Sequence, residues 1–111
     1  MAKRKLRVVW TEAAAQDLIE IVSFVAGDSL ANARRLLVRL RSKADSLERS
    51  PRRGRVVREL ASTGGRAWRE LVVKPYRIVY RIRKEIVLVG AVVDSRRDLE
   101  DLLLERLTRN V

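Results

Sequence analysis

Residues 66–93 decide what this chain can fold into. RAWRELVV, YRIVYRIR and IVLVGAVV follow one another, parted by Lys74-Pro75 and Lys84-Glu85. Apolar and polar residues alternate within the first two segments, and all are rich in β-branched and aromatic residues, the pattern of strands. The two dipeptides are short enough to be hairpin turns, so strands over 66–73, 76–83 and 86–93 form an antiparallel meander. With two-residue loops, Val73 faces Tyr76, Leu71 faces Ile78 and Arg69 faces Tyr80. In the second hairpin Ile82 meets Val87, Tyr80 meets Val89 and Ile78 meets Ala91.

The segments around the meander supply what covers it. LRVVW at 6–10 reads as another strand. Thr11 offers a helix cap with Glu12 in the first turn. Ala14, Leu18, Ile21, Val22 and Val25 then keep helical spacing as far as Gly27. Asp28 or Ser29 caps a second helix, with Leu30, Ala33, Leu37, Leu40, Ala44 and Leu47 on one stripe, stopped by Ser50-Pro51. These two form a helical hairpin. Residues 50–65 have no clean period, apart from a turn of helix near Arg58–Ala61. A last helix opens near Asp98 and carries Leu99, Leu102, Leu103 and Leu107 on one side. The order is β-α-α-β-β-β-α in one domain over 1–111, an α+β fold with the helical hairpin packed on one face of a mainly antiparallel sheet.

Strand parity sorts the side chains onto two faces. One face carries Leu71, Val73, Tyr76, Ile78, Tyr80, Ile82, Val87, Val89, Ala91 and Val93, and the hairpin should cover it. Arg69 is the exception there. An ionised arginine is not buried unpaired, so Arg69 is expected to form a structural ion pair with Glu12, Asp17 or Glu20, or to lie at the rim. The other face carries Trp68, Glu70, Val72, Arg77, Val79, Arg81, Arg83, Ile86, Leu88 and Val92. A mixed face of this kind is expected to be a binding surface. In the competing reading the last helix folds back and covers it. A one-residue slip in register would exchange the faces.

Composition narrows the chemistry. There are 25 Lys and Arg against 14 Asp and Glu, a formal charge of +11. That excess favours an acidic partner: nucleic acid, an anionic membrane or an acidic protein segment. Cysteine and histidine are both absent. This removes disulfides, thiolate nucleophiles, and the commonest general base and metal ligand. No cofactor or metal is implied. The basic N-terminus lacks the apolar run of a signal peptide, and no segment approaches the roughly 20 apolar residues of a membrane helix. A cytoplasmic location is the expectation.

Several blocks together resemble the ParE/RelE toxin superfamily: Val9-Trp10-Thr11-Glu12-Ala13-Ala14 through Asp17-Leu18 and Ile21, then Ala33, Ser50-Pro51, Gly54-Arg55, Trp68-Arg69-Glu70-Leu71, Pro75-Tyr76-Arg77-Ile78-Val79-Tyr80 and Arg96-Arg97-Asp98. The likeness is closest to the ParE branch, and it covers nearly the whole chain. It implies the toxin of a type II toxin–antitoxin pair, neutralised by a partly disordered acidic antitoxin tail, with operator DNA met only through the antitoxin. ParE-like toxins poison DNA gyrase, whereas RelE-like toxins cut messenger RNA in the ribosome. A third possibility is a degenerate, non-toxic member that only binds antitoxin. RelE-like toxins place lysines where this chain has Trp68 and Glu70. Their late tyrosine falls near Leu102, and many members have histidine at the place of Asp94. Arg77 and Arg96 remain, but arginines are poor proton carriers. The resemblance therefore favours a ParE-like inhibitor without catalytic residues. Trp68, Arg77, Val79, Arg81, Leu88, Arg96 and Arg97, with the helical hairpin, are the candidate antitoxin or target surface.

Overall fold

The computed structural model describes residues 5–61, 67–96 and 99–107, with the backbone of 108–109. The chain opens with strand β1 (Arg7–Trp10) and turns into α1 (Glu12–Ala26). Thr11 Oγ1 accepts from the Ala14 amide at 3.0 Å, satisfying a donor the helix cannot use itself. The second helix, α2 (Leu30–Asp45), is capped by Ser29, whose Oγ accepts from the Asn32 amide at 3.1 Å. A 3₁₀ turn over Ser46–Glu48 follows, then β2 (Arg55–Val56) and the single-turn helix α3 (Arg58–Ala61). The meander is β3 (Trp68–Val73), β4 (Tyr76–Arg83) and β5 (Ile86–Asp94), and α4 (Glu100–Arg109) ends the described chain. The strand β2 adds to the order expected from sequence. At two residues it is too short to show a period.

The strands form one sheet in the order β1-β5-β4-β3-β2. β1 runs parallel to β5, and the remaining pairs are antiparallel. The first hairpin has the expected register, Val73 with Tyr76, Leu71 with Ile78 and Arg69 with Tyr80. The second begins as expected, Ile82 with Val87 and Tyr80 with Val89, but then slips: Val79 pairs with Ala91 and Ile78 with Val92. Gly90 is the extra residue of a β-bulge. The slip exchanges the faces beyond it. Val92 joins the helix-covered core, while Ala91 and Val93 turn to the opposite side. A side chain at Gly90 would stand 2.8 Å from Trp68 Cζ3 and 2.9 Å from Leu107 Cδ2, so glycine is what lets both pack down on the bulge.

Two apolar layers flank the sheet. On one face Ala14, Leu18, Leu40 and Ala44 of the helical hairpin cover Leu71, Val73, Ile78, Tyr80, Val87, Val89 and Val92. On the other, Leu99, Leu103 and Leu107 cover Trp68, Val79, Ala91 and Val93, with Val57 and Leu60 closing the side. The three leucines recur every four residues, so one helical stripe carries them all. Burying each contributes about 1.5–3 kcal/mol, which holds α4 against the sheet. The face expected to be an open binding surface is therefore a second core, and the competing reading is the correct one.

Candidate functional site

At the β3 side of this second core lies a chain of four charges. Glu70 on β3 and Arg77 on β4 point the same way from diagonal positions of the ladder. Their side chains retain 1% and 8% exposure. Arg77 Nη1 donates to Glu70 Oε1 at 2.7 Å and to Glu59 Oε1 at 3.1 Å, and Nη2 donates to Glu59 Oε2. Arg55 Nε, on exposed β2, completes the chain by donating to Glu70 Oε2 at 2.8 Å. Pairing offsets a desolvation cost that would amount to several kcal/mol per ion if the charges stood alone. The bond from Arg77 holds the Glu59 carboxyl below its ordinary range, against the opposing pull of burial. Glu59 in turn raises the Arg77 pKa.

This arrangement reassigns most of the residues expected to form a binding surface. Trp68 is buried, Val79 wholly so, and Arg77 is enclosed by carboxylates rather than presented to a partner. Arg81 lies over the Trp68 ring, 5.4 Å from its centroid, a cation–π contact within this chain. Leu88, paired with Arg81, is half-buried. Arg96 remains exposed and is held by Asp94 through bonds of 2.9 and 2.6 Å, which raise its pKa. Arg97 lies outside the described residues.

Arg69 does not form the expected ion pair; half-buried, it fits the alternative of a place at the rim. Its partners are carbonyls, Gly54 at 2.7 Å and Arg52 at 3.4 Å, not a carboxylate of α1. Pairing with β2 brings the 52–54 backbone over Arg69, and its carbonyls satisfy the guanidinium where it sits. Tyr80 fixes the same loop from within the core. Its hydroxyl donates to the Pro51 carbonyl at 2.7 Å and accepts from the Gly54 amide at 2.9 Å. Asp17, one of the expected partners of Arg69, is engaged elsewhere. β5 extends beyond its pairing with β1, and Asp17 accepts from the Val92 amide at 3.0 Å and from Arg106 at 2.7 and 3.1 Å. This ties α1 to α4 across the end of the sheet.

Sequence reasoning missed the role of Glu59. Glu70 and Arg77 were legible as opposite charges on one face, but Glu59 sits in a segment without periodicity. The open apolar surface lies instead on the helical hairpin. Trp10, Leu18, Ile19, Val22, Leu37 and Arg41 line a groove of about 450 Å³. Ile19 of this lining is 57% exposed, and beyond the groove Phe24, Leu30 and Val38 stand between 62% and 82% exposed.

A family model described as the ParE toxin of the type II toxin–antitoxin system parDE matches residues 8–99. The chain belongs to the ParE toxin family. It is a type II toxin–antitoxin toxin of the wider ParE/RelE superfamily. Names within that superfamily are mixed. Toxin RelE2 of Caulobacter vibrioides is 38% identical over 95 residues, covering 82% of this ParE-family chain and 97% of that protein. The chromosomal ParDE system from P. aeruginosa has the same fold at a TM-score of 0.65 and 16% identity, over 83% of this chain and 98% of that one. The RelBE2 toxin–antitoxin complex of Mycobacterium tuberculosis gives 0.60 and 21%, over 81% and 91%.

Proposed function

We propose that this toxin acts by binding, inhibiting DNA gyrase without cutting RNA, and that a cognate antitoxin silences it. One observation carries the first part. Arg77 stands where the family likeness would put a phosphate-holding arginine, yet its guanidinium is 8% exposed and spans Glu59 and Glu70. A phosphorane would have to displace two carboxylates already in place, and Glu70 beside it repels an anion. RNA cleavage also needs an acid and a base to move protons. Trp68, buried, and Leu102 supply neither. Membership of the ParE family supports gyrase as the target.

The antitoxin reading rests on the hairpin. An antitoxin segment that folds on binding needs apolar anchors, and the α1–α2 groove offers them with Arg41 at its edge for an acidic side chain. The test is direct. Purified protein should block gyrase supercoiling and leave ribosome-bound messenger intact. Messenger cleavage at substoichiometric protein, with supercoiling unaffected, would reject the reading. Ile19→Asp should leave the fold intact and abolish neutralisation by antitoxin.

A further inference from the structure

The arginines of α2 serve neither core. Arg35, Arg39 and Lys43 recur every four residues, so they share one side of the helix, and all are exposed. Contacts place this stripe. At its start Arg35 Nη2 donates to Asn32 Oδ1. In its middle Arg39 Nη2 donates to the Lys74 carbonyl at 3.2 Å, beside the β3–β4 turn. At its far end Arg53 Nη1 donates to Ser46 Oγ at 3.0 Å and adds its own exposed charge. From residue 35 to residue 46 the ridge is about 16 Å long at 1.5 Å per residue. The one carboxylate of α2, Asp45, lies roughly a third of a turn off its middle.

We propose that this ridge binds the phosphate backbone of duplex DNA, without regard to sequence. The choice of DNA over an RNA duplex rests on the gyrase reading; the choice of a duplex backbone does not. Guanidinium forks match phosphate oxygens, and neutralising phosphates releases counterions. An acidic protein segment that folds on binding would need apolar anchors. Along with its cations this stripe carries Asn32, Ser42 and Ser46, while Ile19 lies in the α1 groove and the exposed Val38 of α2 stands roughly a quarter turn from the middle of the stripe. Single strands are gripped by stacking bases on aromatic rings, and the ridge carries none. The Ser42 hydroxyl and the Asn32 amide group suit backbone contacts that position a protein on DNA, while Ser46 Oγ is engaged by Lys43 and Arg53.

The test is fluorescence anisotropy of the purified chain with a mixed-sequence duplex of about 20 base pairs, titrated across salt. Four ridge cations predict a slope of log affinity against log salt near −3 to −4. R35Q/R39Q/K43Q should bind at least about tenfold more weakly and flatten the slope by roughly three. Circular dichroism should show its fold unchanged. R7Q/R83Q/K84Q removes the same charge from exposed positions around β1 and the β4–β5 turn, and should leave binding nearly unaltered. Equal losses in the two variants would mean diffuse attraction and overturn the proposal. So would tighter binding of duplex RNA or single-stranded DNA, or equal binding of poly-glutamate. Gyrase is absent from the assay. Ridge-dependent DNA binding without supercoiling inhibition would therefore overturn the gyrase reading and leave the ridge standing.

Discussion

The two faces of the sheet are both dry, but they are dry in different ways. Under the helical hairpin the buried cluster is apolar apart from the Tyr80 hydroxyl, which reaches the Pro51 and Gly54 backbone. Under α4 the cluster borders Glu59, Glu70 and Arg77, whose charges cancel within the molecule. The difference teaches that a mixed face is not a binding face by default. An arginine among valines marks a surface only when no carboxylate reaches it. Here Arg77 had Glu70 within its own sheet, and α3 brought a second.

The largest test of this contrast is Arg77→Ala. It leaves Glu70 buried with only the exposed Arg55, and should destabilise the chain by about 3–5 kcal/mol in urea denaturation. Replacing Glu70 and Arg77 together by leucine should cost less than Arg77→Ala, because no lone charge is then left behind. A loss no greater than that of an exposed arginine would show that the second face is not sealed. On the apolar face Tyr80→Phe removes a buried polar anchor and both of its hydrogen bonds. About 1–3 kcal/mol is expected, with faster proteolysis of the 50–54 loop as the local sign. Arg81→Met should change stability by less than about 1 kcal/mol. It gives up a cation–π contact but also removes a buried Nε that has no hydrogen-bond partner.

The acid response of Glu59 on the charged face should be the smallest effect. Glu59 has a folded pKa below its ordinary value of about 4.3, so its contribution is fully present above that value. It is lost as pH falls through the lower folded value. Stability measured from pH 6 downward should drop in this window, and Glu59→Gln should remove that part of the drop. An acid limb left unchanged by that substitution would break the link between Glu59 and Arg77.

Much of this was legible in the chain. The meander, its first register, the Thr11 cap, the second cap to within one residue, and the leucine stripe of α4 follow from period, turn residues and spacing. Those are local rules, with side-chain direction set by the backbone of the same element. The blocks around Trp68–Leu71 and Pro75–Tyr80 also sufficed for the family. Other features escaped because they depend on a meeting of distant segments. Nothing near Gly90 in sequence shows that Trp68 and Leu107 will close over it, yet that bulge decides which way Ala91, Val92 and Val93 face. Glu59 and Arg77 are 18 residues apart and meet only because α3 folds over the sheet. Arg69 met carbonyls instead of a carboxylate because β2, too short to read, paired with β3.

The sequence alone thus determined the longer elements and the stock of charge, +11 with neither histidine nor cysteine. Only the tertiary structure decided which of those charges cancel one another and which face outward. A charge is spent or free according to what stands within a few ångströms of it, and that distance is fixed by packing. So Arg77 is enclosed beside Glu59 and Glu70, while Arg35 and Arg39, no different as residues, lie open on the ridge of α2.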